Sequence, residues 1–550
     1  MIRDPWQICS RNRHAAEQAC GGSVNRPGMQ PGRQPSGKVR DRTGMQPGRQ
    51  PSGKVQSRTE CVKTAQTGHL HEGKKMNYTG KKVLVIGTGL SGIGAAQLLS
   101  REGAFVTLLD QNEKAQKEEI CGRFAGTLTP EEMSRICIVI GDLPGESNTD
   151  NESPFGYEHF DQIVPSPAVP LDSPLLQKFE EEGTPIISEI ELGSLFEKGK
   201  IIAITGTNGK TTTTTLVGEI MKAAAEKGLC SRAFVVGNIG SSYAAAASET
   251  DPESVTVGEI SSFQLEAAYT FKPTVSAILN ITPDHLNRHY TMQNYAAIKE
   301  RIAFNQTKEQ ACVLNYEDPY LRPYGEHLCP ARVIWFSSGT ELRKGYYLKG
   351  DDICRADGRG NVEKLMNVHD MQLVGVCNAE NVMAAIAITE AAGVPTDLIL
   401  SVIREFPPVP HRIEFVGEKG GVKYYNDSKA TNPDAAIQGI RAMTGPTVLI
   451  GGGYDKKNSY DEWIEAFDGK VKKLVLIGQT RDDIADCARA HGFTEIVFCD
   501  TFEECMKTCT SLAEPGDEIL LSPACASWGM FPNYEVRGDI FRDYVRNLPE

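Results

Sequence analysis

The chain has no apolar run approaching the roughly 18 residues that a membrane-spanning helix needs, so insertion into a bilayer is not expected. It has no CxxC pair. Its 15 cysteines are odd in number and scattered from Cys9 to Cys525, which suggests neither a disulfide framework nor a zinc site of familiar spacing. The first residues lack the apolar h-region of an export signal and the amphipathic pattern of an organelle transit peptide, so a cytoplasmic location is expected. With 40% hydrophobic and 23% charged residues the composition is globular rather than fibrous.

The 550 residues suffice for three or four domains at about 150 each. Their formal net charge of -13 is uneven. Residues 1–75 hold 14 Lys and Arg against 5 Asp and Glu, so a +9 segment precedes a body at -22. An acidic body repels phosphate backbones, and nucleic-acid binding is not expected of it. The basic segment repeats GMQPGRQPSGKV at Gly28–Val39 and Gly44–Val55 and has almost nothing apolar to bury. Disorder is expected there, and Met76 is expected to be the natural start.

From Met76 the pattern runs strand, glycine turn, helix, strand. Val83 to Ile86 is apolar throughout, Gly87, Gly89 and Gly92 form GxGxxG, and Asp110 ends the next strand. Alone, this points weakly to a nicotinamide-dependent oxidoreductase, and equally to any ligand whose phosphate sits on a helix N-terminus. A second unit begins at Lys200: the strand IIAIT, the loop GTNGK and an Ala-rich helix from Thr211 to about Gly228. Gly206 and Gly209 let backbone N–H groups wrap a phosphate, Lys210 reaches its outer oxygens, and the Thr211 hydroxyl is placed for magnesium. Two residues, Thr207 and Asn208, separate the glycines where the strict motif has four, and an oxidoreductase reading leaves this loop unexplained.

Glu259 ends a strand-like VTVGE, where ligands of parallel sheets gather. Asn280 to His289 is a polar loop after another strand, and Lys299 follows on a helix. Farther on, Val448–Ile450, Leu474–Ile477, Glu495–Phe498 and Glu518–Leu521 alternate with helical patterns such as Arg481–Ala490, so a third α/β unit is expected. Pro407, Pro408 and Pro410 suggest a hinge near Phe406 to Pro410.

Taken together, GTNGKTT at Gly206–Thr212, ISSFQLE at Ile260–Glu266, NITPDHLNRH at Asn280–His289 and YAAIKERI at Tyr295–Ile302 resemble the Mur ligases, ATP-dependent amide-forming enzymes of peptidoglycan precursor synthesis. The resemblance continues through Asn378–Asn381, Pro410–Arg412 and Asn426–Asn432. In the C-terminal third, Ser522–Ser527 (SPACAS), Phe531, Asn533 to Glu535, Arg537 and Gly538 resemble the D-glutamate-adding branch. The DNPR signature of the diaminopimelate- or lysine-adding branch is absent.

The resemblance implies a mixed α/β fold of three domains, each on a mostly parallel doubly wound sheet. A Rossmann-like domain at 76–195 would bind a UDP substrate, a P-loop domain at 196–408 ATP, and a Rossmann-like domain at 409–550 would close over ATP and bind D-glutamate. The implied reaction phosphorylates the carboxylate of UDP-N-acetylmuramoyl-L-alanine, the D-glutamate amine attacks the acyl phosphate, and a tetrahedral intermediate collapses to amide. Family positions map ATP to Gly206, Thr207, Asn208, Gly209, Lys210, Thr211, Thr212, Asn381, Arg412 and Asp427. Two Mg²⁺ ions map to Thr211, Glu259, His285 and Lys299, the last as a CO₂-derived carbamate, with Lys210, His285 and Lys299 catalytic. The UDP substrate maps to Leu90, Ser91, Asp110, Ser166, Asn238, Ser261 and Gln264. D-Glutamate maps to Lys429, Thr431, Lys456, Ser527 and Tyr534, with Lys457 an alternative to Lys456. Asn287 stands where the family commonly has Asp, which removes one carboxylate, and activity is expected to survive. A non-catalytic homologue would have lost metal ligands that are all present here. A monomer is expected.

Overall fold

The computed structural model describes residues 77–143 and 159–549. The basic repeats and Met76 lie outside the described residues. Three sheets follow one another along the chain. In the first, β1 (Lys82–Ile86), β2 (Phe105–Asp110), β3 (Ile136–Ile140) and β4 (Gln162–Pro165) lie parallel in the order β3-β2-β1-β4. Val83, Leu84, Val85 and Ile86 are all buried, as an apolar run covered on both faces requires. The helix α1 (Leu90–Arg101) leaves the end of β1, where the strand order reverses. Gly92 is obligatory for this turn, since a Cβ there would lie 1.8 Å from the Gly87 carbonyl oxygen.

The central sheet has nine strands. Its parallel part contains β5 (Lys200–Thr205), β6 (Ala233–Gly237), β7 (Val255–Glu259), β8 (Val275–Ile278), β9 (Ala311–Asn315), β10 (Arg332–Ser337) and β11 (Lys344–Lys349). An antiparallel meander, β12 (Asp352–Asp357) and β13 (Val362–Asn367), extends one edge, giving the order β13-β12-β11-β10-β9-β8-β5-β7-β6. Strand β5 lies between β7 and β8, so its carboxyl end is again a switch point. From it springs α2 (Lys210–Glu226); α3 (Met292–Glu300) follows the polar loop, and α4 (Val376–Ala391) packs on α2 and β10. Apolar residues occupy nearly the whole circumference of α4, and it is correspondingly buried.

The third sheet comprises β14 (Glu414–Lys419), β15 (Val422–Asn426), β16 (Thr447–Gly451), β17 (Val471–Leu476), β18 (Ile496–Phe498) and β19 (Glu518–Leu521), in the order β14-β15-β19-β16-β17-β18. All pairs are parallel except the β14–β15 hairpin. Helix α5 (Pro433–Ala442) faces the central sheet's helix α4, and α6 (Tyr534–Arg546) closes the chain. Phe406 to Pro410 links the second and third sheets without regular structure. The described cysteines are all free thiols. No helix among the described residues is long and apolar enough to cross a membrane.

Candidate active site

The loop between β5 and α2 is shaped by its glycines. Gly209 caps α2 at φ 81°, and a Cβ there would lie 2.2 Å from Asn381 Oδ1 on α4. Helix α4 therefore braces the loop from below. The Asn208 N–H donates to Asn280 Oδ1 at 2.8 Å, so the polar loop after β8 fixes the same turn from the side. Lys210 Nζ folds back to donate to the carbonyls of Gly206 (2.9 Å) and Thr207 (2.8 Å). Burial lowers its pKa from the ordinary lysine value, Glu259 opposing and Arg412 adding to the effect.

Lys299 lies beneath this loop. It is 1% exposed, donates to the Gly206 carbonyl at 2.8 Å and sits 4.6 Å from the centre of the Tyr295 ring. Burial and then the charge of Lys210 hold its pKa well below the ordinary lysine value. A helix lysine that the sequence alone would leave on the surface is thus interior. Glu259, at the end of β7, is also buried: Asn238 Nδ2 donates to its Oε1 at 2.8 Å, while Oε2 has no hydrogen-bond partner. A buried carboxylate oxygen left open is a ligand suited to a hard divalent cation. His285 adopts φ 53° before the short turn Leu286–His289, packs against Phe263 at 4.8 Å, and is held below the usual histidine pKa by desolvation, with Asp284 opposing.

The third sheet brings cations to the same place. Lys429 Nζ donates to Thr211 Oγ1 at 3.0 Å, and Arg412 Nη2 approaches it at 3.4 Å. Burial, with Arg412, pushes Lys429 down to about 7. Asp427 accepts from Ser522 Oγ at 2.7 Å and is pushed up to about 7 by burial. Arg412, Asp427 and Asn381 line a cleft together with Asn208, Gly209 and Thr212. Tyr534 lies under Lys429, 5.2 Å from Nζ to the ring centre, and Thr431 follows in the same turn. Ser527 is buried, and the Tyr454 N–H donates to Ala526 O at 2.9 Å, so the loop carrying Lys456 is tied to the segment carrying Ser527. Of the two adjacent lysines, Lys456 lies over Trp528, whereas Lys457 is exposed and paired with Asp455.

Among the residues expected near UDP, Leu90 and Ser91 open α1 with Leu90 exposed. Asp110 accepts from both the N–H and the hydroxyl of Thr88, and Ser166 packs against Gly87. Ser261 and Gln264 bond to each other as a capping box on Ser262–Leu265 at the end of β7, where Asn238 also lies, so these three gather around Glu259 rather than around β1. Arg288 links the groups: its guanidinium donates to the carbonyls of Pro167 (2.7 Å) and Val169 (3.2 Å), to Glu266, and stacks on Phe263.

Sequence reasoning passed over Asp434. From α5 its carboxylate accepts from Asn208 Nδ2 and from Thr282 Oγ1 (2.7 Å), joining the third sheet to the phosphate loop. The only sequence sign was an Asn-Pro-Asp helix start. Asp434→Ala is expected to lower turnover about tenfold, the worth of a hydrogen bond to a charged group, and to raise the radius of gyration in solution scattering. Unchanged values of both would show that this contact does not hold the units together.

A Gly-Lys loop, a buried lysine and an open carboxylate, met by cations from a third α/β unit, define a nucleotide-dependent ligase class, and the comparisons agree. The Mur ligase middle domain matches residues 204–389 and the Mur ligase glutamate ligase domain matches residues 411–525. A UDP-N-acetylmuramoylalanine--D-glutamate ligase of Lachnospira eligens is 50% identical over 86% of this chain and 100% of its own length. One from Clostridioides difficile is 41% identical over 86% and 100%. Among solved structures, UDP-N-acetylmuramate-alanine ligase of Thermotoga maritima shares the fold at TM-score 0.52 and 19% identity, covering 85% of this chain and 99% of that one. The chain belongs to the Mur ligase family. Within it, the chain is most like the UDP-N-acetylmuramoylalanine--D-glutamate ligases.

Proposed function

We propose that the protein joins D-glutamate to UDP-N-acetylmuramoyl-L-alanine, with ATP converted to ADP and phosphate, in peptidoglycan precursor synthesis, working as a cytoplasmic monomer. The observation that carries this reading is the meeting of Lys210 from one unit with Arg412 and Lys429 from another around Thr211, next to the open oxygen of Glu259. In the first step a carboxylate attacks the terminal phosphate of ATP, two anions approaching each other. Lys210 turns from the loop carbonyls to the phosphate, and Arg412 and Lys429 exchange the Thr211 hydroxyl for phosphate or carboxylate oxygens. Thr211 and Glu259 would hold one Mg²⁺ and His285 and carbamylated Lys299 a second, supplying further positive charge where the anions meet. Asn381, Arg412 and Asp427 would hold the nucleoside of ATP in the shared cleft. Leu90, Ser91, Asp110 and Ser166 would hold UDP, with Asn238, Ser261 and Gln264 along the path to the reacting carboxylate.

The incoming dicarboxylate selects cationic and hydroxyl partners, which Lys429, Thr431, Lys456, Ser527 and Tyr534 supply. Lys456→Ala is expected to raise KM for D-glutamate about tenfold, while Lys457→Ala leaves it unchanged; equal effects would remove the distinction drawn from Trp528. The deciding assay is phosphate release. It should require both UDP-N-acetylmuramoyl-L-alanine and D-glutamate, and release only with another amino acid would overturn the proposal.

A further inference from the structure

Two surface helices of the third α/β unit place a mixed set of donors together. Asp461 opens the helix Asp461–Glu465, and Cys487 and His491 lie one turn apart at the end of the helix Arg481–Ala490. Their ligating atoms all lie within 4.8 Å of one another: Asp461 Oδ1 is 2.9 Å from His491 Nε2 and 3.7 Å from Cys487 Sγ. Ligands on one tetrahedral ion, at bond lengths of about 2.0–2.3 Å, stand roughly 3.3–3.8 Å apart, so small side-chain adjustments suffice. The surroundings orient the donors. Without an ion His491 Nε2–H donates to Asp461 Oδ1 at 2.9 Å, so ligation moves that proton to Nδ1, where Glu465 Oε1, 3.8 Å away on the far side of the ring, receives it after a small shift. Ser459 Oγ donates to Asp461 Oδ2 at 2.6 Å and leaves Oδ1 facing the other two groups.

We propose that Asp461, Cys487 and His491 form a binding site for a zinc-class divalent cation, with Glu465 as a positioning residue behind the imidazole. Thiolate, imidazole and carboxylate together suit Zn²⁺ or Co²⁺, whereas the active-site set, which lacks a thiolate and is mainly oxygen, suits Mg²⁺. On binding, the Cys487 thiol gives its proton to solvent, the sulfur bonds the cation, and the fourth position takes water. The ion would join the two helices beside the loop that carries Lys456.

The test titrates Co²⁺ into the chelator-treated full-length protein without nucleotide. A near-ultraviolet thiolate-to-cobalt absorption is expected, saturating at one ion per chain and displaced by Zn²⁺. Cys487→Ser should abolish the band. His491→Ala should weaken binding about 100-fold, and Glu465→Ala about tenfold, with folding of each checked by the ion-free melting temperature. Absence of the band, or its survival in Cys487→Ser, overturns the proposal. In the unmodified chain, Zn²⁺ should protect Cys487 from alkylation, and equal alkylation with and without Zn²⁺ overturns it without any variant.

Discussion

Lys299→Ala is expected to lose about 100-fold or more in kcat and to regain part of it with formate or acetate. Carbamylation needs a neutral amine, whose lone pair bonds the carbon of CO₂ as the nitrogen loses a proton, and it needs a place where the resulting carboxylate-like group meets cations. Lys299 meets the first condition because burial and the charge of Lys210 both disfavour its ammonium. It meets the second because the Gly206 carbonyl at 2.8 Å places Nζ directly under the phosphate loop, where an added anion would face incoming cations. Alanine removes the anion and leaves a space that a small carboxylate can enter. A purely structural lysine would behave differently, since loss of its bond to Gly206 distorts the loop and no added carboxylate restores it. Full activity in the variant, or loss without any rescue, would sink the carbamate role. Dependence of the parent's rate on bicarbonate gives a second reading of the same chemistry.

How far the sequence discloses this site depends on the distance over which each residue acts. Gly206, Gly209 and Lys210 are legible because their roles are local: a turn, a helix start and a reach of one side chain. Strands such as Val448–Ile450 and Glu518–Leu521 are legible because burial on both faces writes a continuous apolar run. The edge strands β13 and β14 are not, since an exposed face leaves polar residues that read as loop. Lys299 is a surface lysine by periodicity, and only packing of α3 beneath the loop makes it interior; family resemblance had to supply it. Asp434 is the harder case. Its partners Asn208 and Thr282 lie 226 and 152 residues away on another sheet, and no local pattern marks a contact made by bringing two units together. The choice between Lys456 and Lys457 is likewise spatial, made by Trp528 and Asp455 rather than by spacing.

Lys210→Ala is expected to cost about 10²–10³ in kcat, near the loss seen when one preorganised donor to a developing charge is removed. Arginine should not rescue it: the pocket under Gly206 and Thr207 receives a compact ammonium, and a planar five-donor fork has no room to fold onto two carbonyls of a four-residue turn. The same substitution should stabilise the ligand-free protein. Burial depresses the pKa of Lys210 in the folded chain, so below that folded value the side chain is charged in both states and folding bears the full cost of burying it. Lys210→Met, which keeps the volume and drops the charge, should therefore melt higher than the parent at neutral pH. That gain should shrink as pH rises from the depressed value toward about 10.4, where lysine is neutral in the unfolded chain as well. A variant slower in turnover yet no more stable at any pH would mean that the carbonyls of Gly206 and Thr207 fully compensate the buried ammonium. A variant with unchanged kcat would remove Lys210 from the phosphate-binding role, and with it the cation that the first step, carboxylate attack on ATP, most requires.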